Sequence, residues 1–264
     1  MCLKTSKAIL VVSYGSSYKD EREKSIGGIE QAIRNEFPEY KVYRAFTSES
    51  IIKKIKNKEN LQIDTVGEAL ERATAEGIKE ITLVQTHFVQ GLRHERLLEI
   101  VEHYKNVFEK IDVAEPILRN SKNREAFADV LEMIGHSYDD GETAICCVGH
   151  GIDEGSNAVY RKIQDVLIQK GFDHYYVGTL SEKPTLEDLK DEIEAKKIYR
   201  RVVLIPFMLV SGYHVRKDIT GPSDDSWKNT FIRAGFDVEC IKKGLGEEVR
   251  IQNIFAEYVK DVIL

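Results

Sequence analysis

Apolar residues recur along the chain in short blocks separated by stretches of helical spacing. Ala8–Ser13 is a continuous apolar run that predicts a buried strand. In Tyr18–Phe37, Ile26, Ile29, Ile33 and Phe37 recur every three to four residues, which predicts a helix stopped by Pro38. Tyr40–Phe46 reads as a strand, Thr65–Glu76 as a helix ended by Gly77, and Glu80–Thr86 as a strand. A helix over His94–Lys110, a short strand over Ile111–Ala114 and a helix over Asn123–Ile134 follow. The order then repeats: strand Ala144–Val148, helix Ser156–Lys170, strand His174–Leu180, helix Thr185–Lys196, strand Arg201–Leu209. Helix Ser226–Gly235, strand Asp237–Ile241 and helix Glu247–Ile263 close the chain. Thr185-Leu-Glu-Asp behind Pro184 is a capping-box-like helix start. Alternating strands and helices predict an α/β protein with parallel sheets covered on both faces.

The blocks are duplicated. Residues 8–15 read AILVVSYG and residues 144–151 read AICCVGHG, which sets Tyr14 opposite His150. Residues 81–91 read ITLVQTHFVQG and residues 202–212 read VVLIPFMLVSG, which sets Arg93 opposite His214. The expected architecture is two similar lobes, each a four-stranded parallel sheet flanked by helices, related by a pseudo-twofold duplication. The expected lobes are 1–138 and 139–264, divided in the Gly135–Glu142 stretch, with the closing helix available to pack on the first lobe. The unusual polar residues sit just past strand ends, where open α/β sheets place their sites.

Composition narrows the function little. With 42% hydrophobic and 31% charged residues the chain can bury a core. A net charge of −6 argues against nucleic acid as partner. Ala8–Val12 is too short for a signal segment or a membrane span, so a cytoplasmic protein without membrane partner is expected. Cys2, Cys146, Cys147 and Cys240 show no CxxC spacing and read as reduced thiols.

His150, in Val-Gly-His-Gly, and His214, in Val-Ser-Gly-Tyr-His, each follow a strand end of the same sheet. Two imidazoles there suit a divalent metal, and a pKa of about 6.5 suits proton removal at neutral pH. Thr86-His-Phe-Val-Gln-Gly-Leu-Arg-His-Glu adds His87, Arg93, His94 and Glu95. His87 could equally be a packed histidine, whereas at least one of His94 and Glu95 should face the site. Leu98 rules out a zinc H-E-x-x-H helix. Ser16 and Ser17 either cradle an anion or cap a helix. Neither a Walker loop nor a Gly-x-Ser-x-Gly elbow is present. Arg44, on the second strand, either meets an acidic substrate or pairs with the helix layer. Glu182 follows the 174–180 strand, in a place like that of Glu49. The loop Lys217–Lys228 carries Asp218, Asp224, Asp225 and Trp227, and is either a lid or a solvated loop with Trp227 packed down.

Taken in order, Ile9-Leu-Val-Val-Ser-Tyr-Gly-Ser-Ser, Arg44-Ala-Phe-Thr-Ser, Val148-Gly-His-Gly, Pro206-Phe-Met-Leu-Val-Ser-Gly-Tyr-His and Asp224-Asp-Ser-Trp-Lys resemble the anaerobic cobalt chelatases. These are the sirohydrochlorin cobaltochelatases of the class II chelatase superfamily, and the resemblance runs from Lys7 to the last helix. It implies a tetrapyrrole cleft and insertion of Co2+ into sirohydrochlorin on the cobalamin route, without nucleotide hydrolysis. Fe2+ and Ni2+ are the lesser alternatives as substrate metal. His150 and His214 match the metal-site histidines, which would hold the ion and accept pyrrole protons.

The carboxylates depart from the pattern. Arg93 stands where the family often has a glutamate, and Ser181 stands where a second is expected, with Glu182 displaced by one. His94, Glu95 and Glu182 are the substitutes for the third ligand. Tyr14, Ser16, Arg44, His87, Arg93 and Asp218 are the candidate substrate-binding residues. A homo-oligomer is compatible with these features. The rival expectation is a tetrapyrrole or haem carrier on the same fold. A two-lobed sugar or metal receptor is disfavoured by the lack of an export signal and by the histidine pair.

Overall fold

The computed structural model describes residues 5–151 and 158–263. Its strands form two four-stranded sheets, both parallel throughout. The first holds β1 (Lys7–Ser13), β2 (Lys41–Phe46), β3 (Glu80–Gln85) and β4 (Lys110–Val113), in the order β2-β1-β3-β4. The second holds β5 (Thr143–Gly149), β6 (Tyr175–Thr179), β7 (Arg201–Phe207) and β8 (Asp237–Cys240), in the order β6-β5-β7-β8. The duplication in the sequence is thus a duplication of topology: β5 takes the place of β1, and β7 that of β3. The expected α/β architecture of two similar four-stranded parallel sheets is the one observed.

Continuous apolar runs are what a strand buried on both faces requires. Along β1, Ala8, Leu10 and Val12 face one core and alternate with the equally buried Ile9 and Val11. Along β5, Ala144, Cys146 and Val148 face one core and alternate with the buried Ile145 and Cys147. Both thiols are fully buried, and burial pushes Cys147 up to about 12. Cys2 lies outside the described residues.

The helices of the first unit are α1 (Lys19–Glu21), α2 (Gly27–Glu36), α3 (Glu49–Glu59), α4 (Val66–Ala75) and α5 (Leu92–Glu102). One π-turn, Arg22–Ile26, joins α1 to α2 and buries Arg22 against Glu59. The helix α3 was not foreseen: only Ile55 in it is buried, and its remaining surface is largely lysine and glutamate. The helix expected over His94–Lys110 ends at Glu102, and turns lead from there into β4. Capping boxes open α4 at Thr65–Glu68 and α8 at Thr185–Asp188.

The second unit carries α6 (Ser121–Gly135), α7 (Ala158–Gln169), α8 (Leu186–Lys196) and α9 (Trp227–Arg233). The chain divides between Arg119 and Asn120, upstream of the 138/139 boundary, because α6 packs on α7 and β7. The closing helix α10 (Val249–Ile263) returns to the first unit and packs on α2. There Tyr258 donates to the Glu115 carbonyl at 2.7 Å and Phe255 meets Phe88. Trp227 is buried over Gly178, so of the two expectations for its loop the packed tryptophan is observed. Among the described residues no helix is long and apolar enough to cross a membrane.

Candidate active site

The second sheet brings two histidines together. β5 ends at Gly149, and His150 is the next residue. The neighbouring strand β7, in register Gly149↔Phe207, leads through Met208–Tyr213 to His214. The ring centroids of His150 and His214 lie 4.6 Å apart with planes at 83°. Tyr213 lies edge-on to His214 at 5.5 Å.

The backbone makes this geometry possible at two glycines. Gly151 has a φ of +74°, which favours glycine, and turns the chain sharply after His150. A Cβ on Gly149 would lie 2.3 Å from the Tyr160 ring. That ring fills the space instead and stacks edge-on against Phe207 at 5.7 Å. Burial pushes the Tyr160 hydroxyl up to about 12, while the amides of Gly151 and His150 donate toward it and lower it. Tyr160 therefore holds both strand ends beneath the histidines.

Hydrogen bonds set the tautomer of each ring. His214 Nδ1 lies 2.7 Å from Asp218 Oδ2, one turn on in the π-turn Val215–Ile219. A carboxylate only accepts, so Nδ1 carries the proton and Nε2 the lone pair. His150 Nδ1 lies 2.9 Å from the Gly151 carbonyl, which gives the same assignment. Both rings therefore present a basic Nε2, the atom that binds a metal or takes a proton. Among the described residues no group of three or more His, Cys, Asp or Glu side chains converges to hold a metal.

The other residues singled out in the sequence fall in different settings. Glu182 is half-buried in the loop after β6, beside Ser181, whose hydroxyl donates to the His150 carbonyl at 3.0 Å. In the first unit His94 turns inward: Gln85 Nε2 donates to its Nδ1 at 2.5 Å, and its Nε2 faces Glu115 at 3.7 Å. Burial lowers its pKa. Glu95 stands exposed in the first turn of α5. Arg44 binds Glu30 of α2 through two hydrogen bonds, at 2.6 and 2.7 Å, which is the helix-layer pairing. Ser16 is buried and caps locally, accepting from the Tyr18 amide at 3.2 Å. Both ring nitrogens of His87 are buried without a hydrogen-bond partner, and burial, then the charge of Arg93, lowers its pKa to about 4. Arg93 lies over the exposed Tyr14 ring, its guanidinium carbon 4.0 Å from the centroid. Sequence reasoning missed Tyr160, because an interior tyrosine on an amphipathic helix carries no local sign of what it supports.

Two duplicated four-stranded parallel units are the fold that this chain shares with solved chelatases. SirB from Bacillus subtilis, solved with Fe3+, matches with a TM-score of 0.67 at 17% identity, over 97% of this chain and 94% of that one. The sirohydrochlorin chelatase SirB from Bacillus subtilis subspecies spizizenii, solved with cobalt, matches with a TM-score of 0.65 at 14% identity over the same shares. At the level of sequence the chain belongs to the cobalt chelatase (CbiK) family, whose model matches residues 7–264. It is 28% identical over 257 residues to the sirohydrochlorin cobaltochelatase of Salmonella typhimurium, covering 97% of this chain and 96% of that protein.

Proposed function

We propose that this protein inserts Co2+ into sirohydrochlorin, with His150 and His214 as the groups that receive the metal and the pyrrole protons. The observation that carries the reading is the pair of imidazoles at 4.6 Å, each with its Nδ1 proton committed and its Nε2 basic. Insertion exchanges one dication for two pyrrole N–H protons, so the product is neutral at the nitrogens and two protons leave. A strong, closed metal cage would hold the cation; two imidazoles with an open coordination sphere hold it weakly enough to release it to the macrocycle. As the metal leaves the rings, each Nε2 becomes available as a base for a departing proton. Asp218 steadies the imidazolium that forms on His214.

Among the described residues no carboxylate completes a three-residue site with the pair, so the two imidazoles hold the ion in this proposal, and Glu182, next to the Ser181 whose hydroxyl donates to the His150 carbonyl, is the carboxylate to test as a further ligand. His94 and Glu95 are set aside, the first because it is buried against Gln85 and the second because it faces solvent. The reaction uses no nucleotide, and the protein works in the cytoplasm. The test is a visible-absorbance time course of sirohydrochlorin with Co2+, with and without the protein, repeated with Fe2+ and Ni2+. Acceleration greatest with Co2+ is expected. A spectral shift on binding without acceleration by any metal would replace the chelatase with a tetrapyrrole carrier.

A further inference from the structure

The pairing of β5 with both neighbouring strands ends at Gly149, opposite Thr179 and Phe207. His150 stands one residue further on, where side chains take over from the ladder. Ser181, in the loop after β6, donates its hydroxyl to the His150 carbonyl at 3.0 Å. The amides of His150 and Gly151 donate toward the hydroxyl of Tyr160 on α7. The His150 ring closes on the following peptide, its Nδ1 2.9 Å from the Gly151 carbonyl.

Both anchors are themselves fixed. Tyr160 is 3% exposed, its ring occupies the place that a Cβ on Gly149 would take, and it stacks edge-on against Phe207 of β7. On the other side, a Cβ on Gly151 would lie 2.6 Å from Ser181 Oγ and 2.8 Å from Thr179 Oγ1, so these two hydroxyls wall in the turn. Thr179 secures the loop that carries Ser181: its hydroxyl accepts from the Glu182 amide at 3.1 Å and donates to the Glu182 carbonyl. His214 is aimed by other means, through its own ring onto the Asp218 carboxylate. An imidazole whose Nδ1 proton goes to a backbone carbonyl is aimed only as well as that peptide is held.

We propose that Tyr160 and Ser181 are positioning residues for His150: they grip the His150–Gly151 turn from two sides, and through it set the tautomer and direction of the ring. The consequence for metal rests on the reading above, in which His150 receives the ion. The two sides of the grip differ in weight. Tyr160 is sealed from water, so removing its hydroxyl leaves two amide donors facing an apolar ring edge. Ser181 is exposed, and water takes over part of its bond. One imidazole of the pair is thus aimed by a carboxylate and the other by a clamped peptide.

The test compares Tyr160→Phe, Ser181→Ala and Ser181→Thr with wild type. Tyr160→Phe keeps the ring that fills the space at Gly149, and Ser181 lies on the surface, so each variant should fold, which a thermal melt checks. Long-range proton–nitrogen correlation spectra of the metal-free protein, at a pH above the imidazole range, read the tautomer of each histidine; titration with Co2+ reads affinity. In Tyr160→Phe the His150 signals should move from one tautomer toward a mixture while those of His214 stay, and Co2+ affinity should fall about tenfold. Ser181→Ala should shift the same signals and cost about threefold. Ser181→Thr keeps the hydroxyl and should recover most of that loss. On a His150→Ala background neither Tyr160→Phe nor Ser181→Ala should cost further affinity. His150 signals left unmoved by Tyr160→Phe or by Ser181→Ala overturn the role of that residue, as does an equal shift of the His214 signals. A His150 tautomer that shifts in Tyr160→Phe while His150→Ala leaves Co2+ affinity untouched overturns the reading of His150 as a metal ligand, and leaves the positioning standing.

Discussion

Removing Asp218 should damage insertion through His214 alone. Its Oδ2 receives the His214 Nδ1 proton at 2.7 Å across a single π-turn. Without that acceptor a neutral imidazole divides between two tautomers, and the ring is free to turn. Loss of such a partner behind a ligating histidine costs about 10–100-fold in metal affinity or activity, which is about 1.4–3 kcal/mol. Both side chains are partly open to water, with relative exposures of 44% for His214 and 34% for Asp218. Water can therefore replace some of the lost bond, and Asp218→Ala should fall near the low end, about tenfold. Asp218→Asn keeps an acceptor without the charge and should lie between Asp218→Ala and wild type. The assay is the initial rate of Co2+ insertion with the spontaneous rate subtracted, alongside a thermal melt to show that the fold survives. The double variant carries the sharper test, read in Co2+ affinity because His214→Ala leaves no rate above the spontaneous one: on that background Asp218→Ala should cost almost nothing more. An unchanged rate in Asp218→Ala, or the same fold loss in the absence of His214, would refute the positioning role.

Three further outcomes follow from the packing. His87 has a folded pKa of about 4, below the ordinary imidazole value of 6.5, so the unfolded chain binds a proton that the folded chain refuses. Stability should fall as pH drops from about 6.5 toward 4, by up to about 3 kcal/mol from this site; denaturant unfolding at pH 7 and pH 5 should show His87→Leu losing less than wild type, and equal losses would contradict this. Gly149→Ala drives a methyl to 2.3 Å from the Tyr160 ring, so it should cost about 1–3 kcal/mol in a melt and reduce insertion further by displacing His150; a wild-type melting point would show that Tyr160 yields freely. Cys146 and Cys147 are fully buried, with thiol pKa values raised by burial. Their peptide should stay unlabelled by iodoacetamide at pH 8 in the folded protein and label once unfolded; labelling within minutes of mixing would show that the strand opens.

The strands β1, β3, β5 and β7 were legible because each is buried on both faces and so reads as a nearly unbroken apolar run. The histidine pair was legible because both residues follow such runs at matched places in a repeat. The lysine-rich helix α3 was not, since one buried residue, Ile55, leaves no stripe to read. The π-turns at Arg22–Ile26 and Val215–Ile219 break the helical period by a residue, and the second brings Asp218 under His214. Partnerships between distant segments were equally hidden: Arg44 with Glu30, His94 with Gln85, and α10 with α2 are settled by packing that no local pattern encodes. The unit boundary moved for the same reason, because α6 is claimed by α7 and β7.

The central claim is that one imidazole pair does the metal and proton chemistry, and single-site variants test it most directly. Sirohydrochlorin metallation by Co2+ would be followed by absorbance with wild type, His150→Ala, His214→Ala and the double variant, with sirohydrochlorin binding measured on the same samples. The account predicts that each single variant still folds and binds the tetrapyrrole, yet drops to the spontaneous rate, and that the double variant is no worse. Wild-type turnover in either single variant would contradict it and move the chemistry elsewhere in the protein.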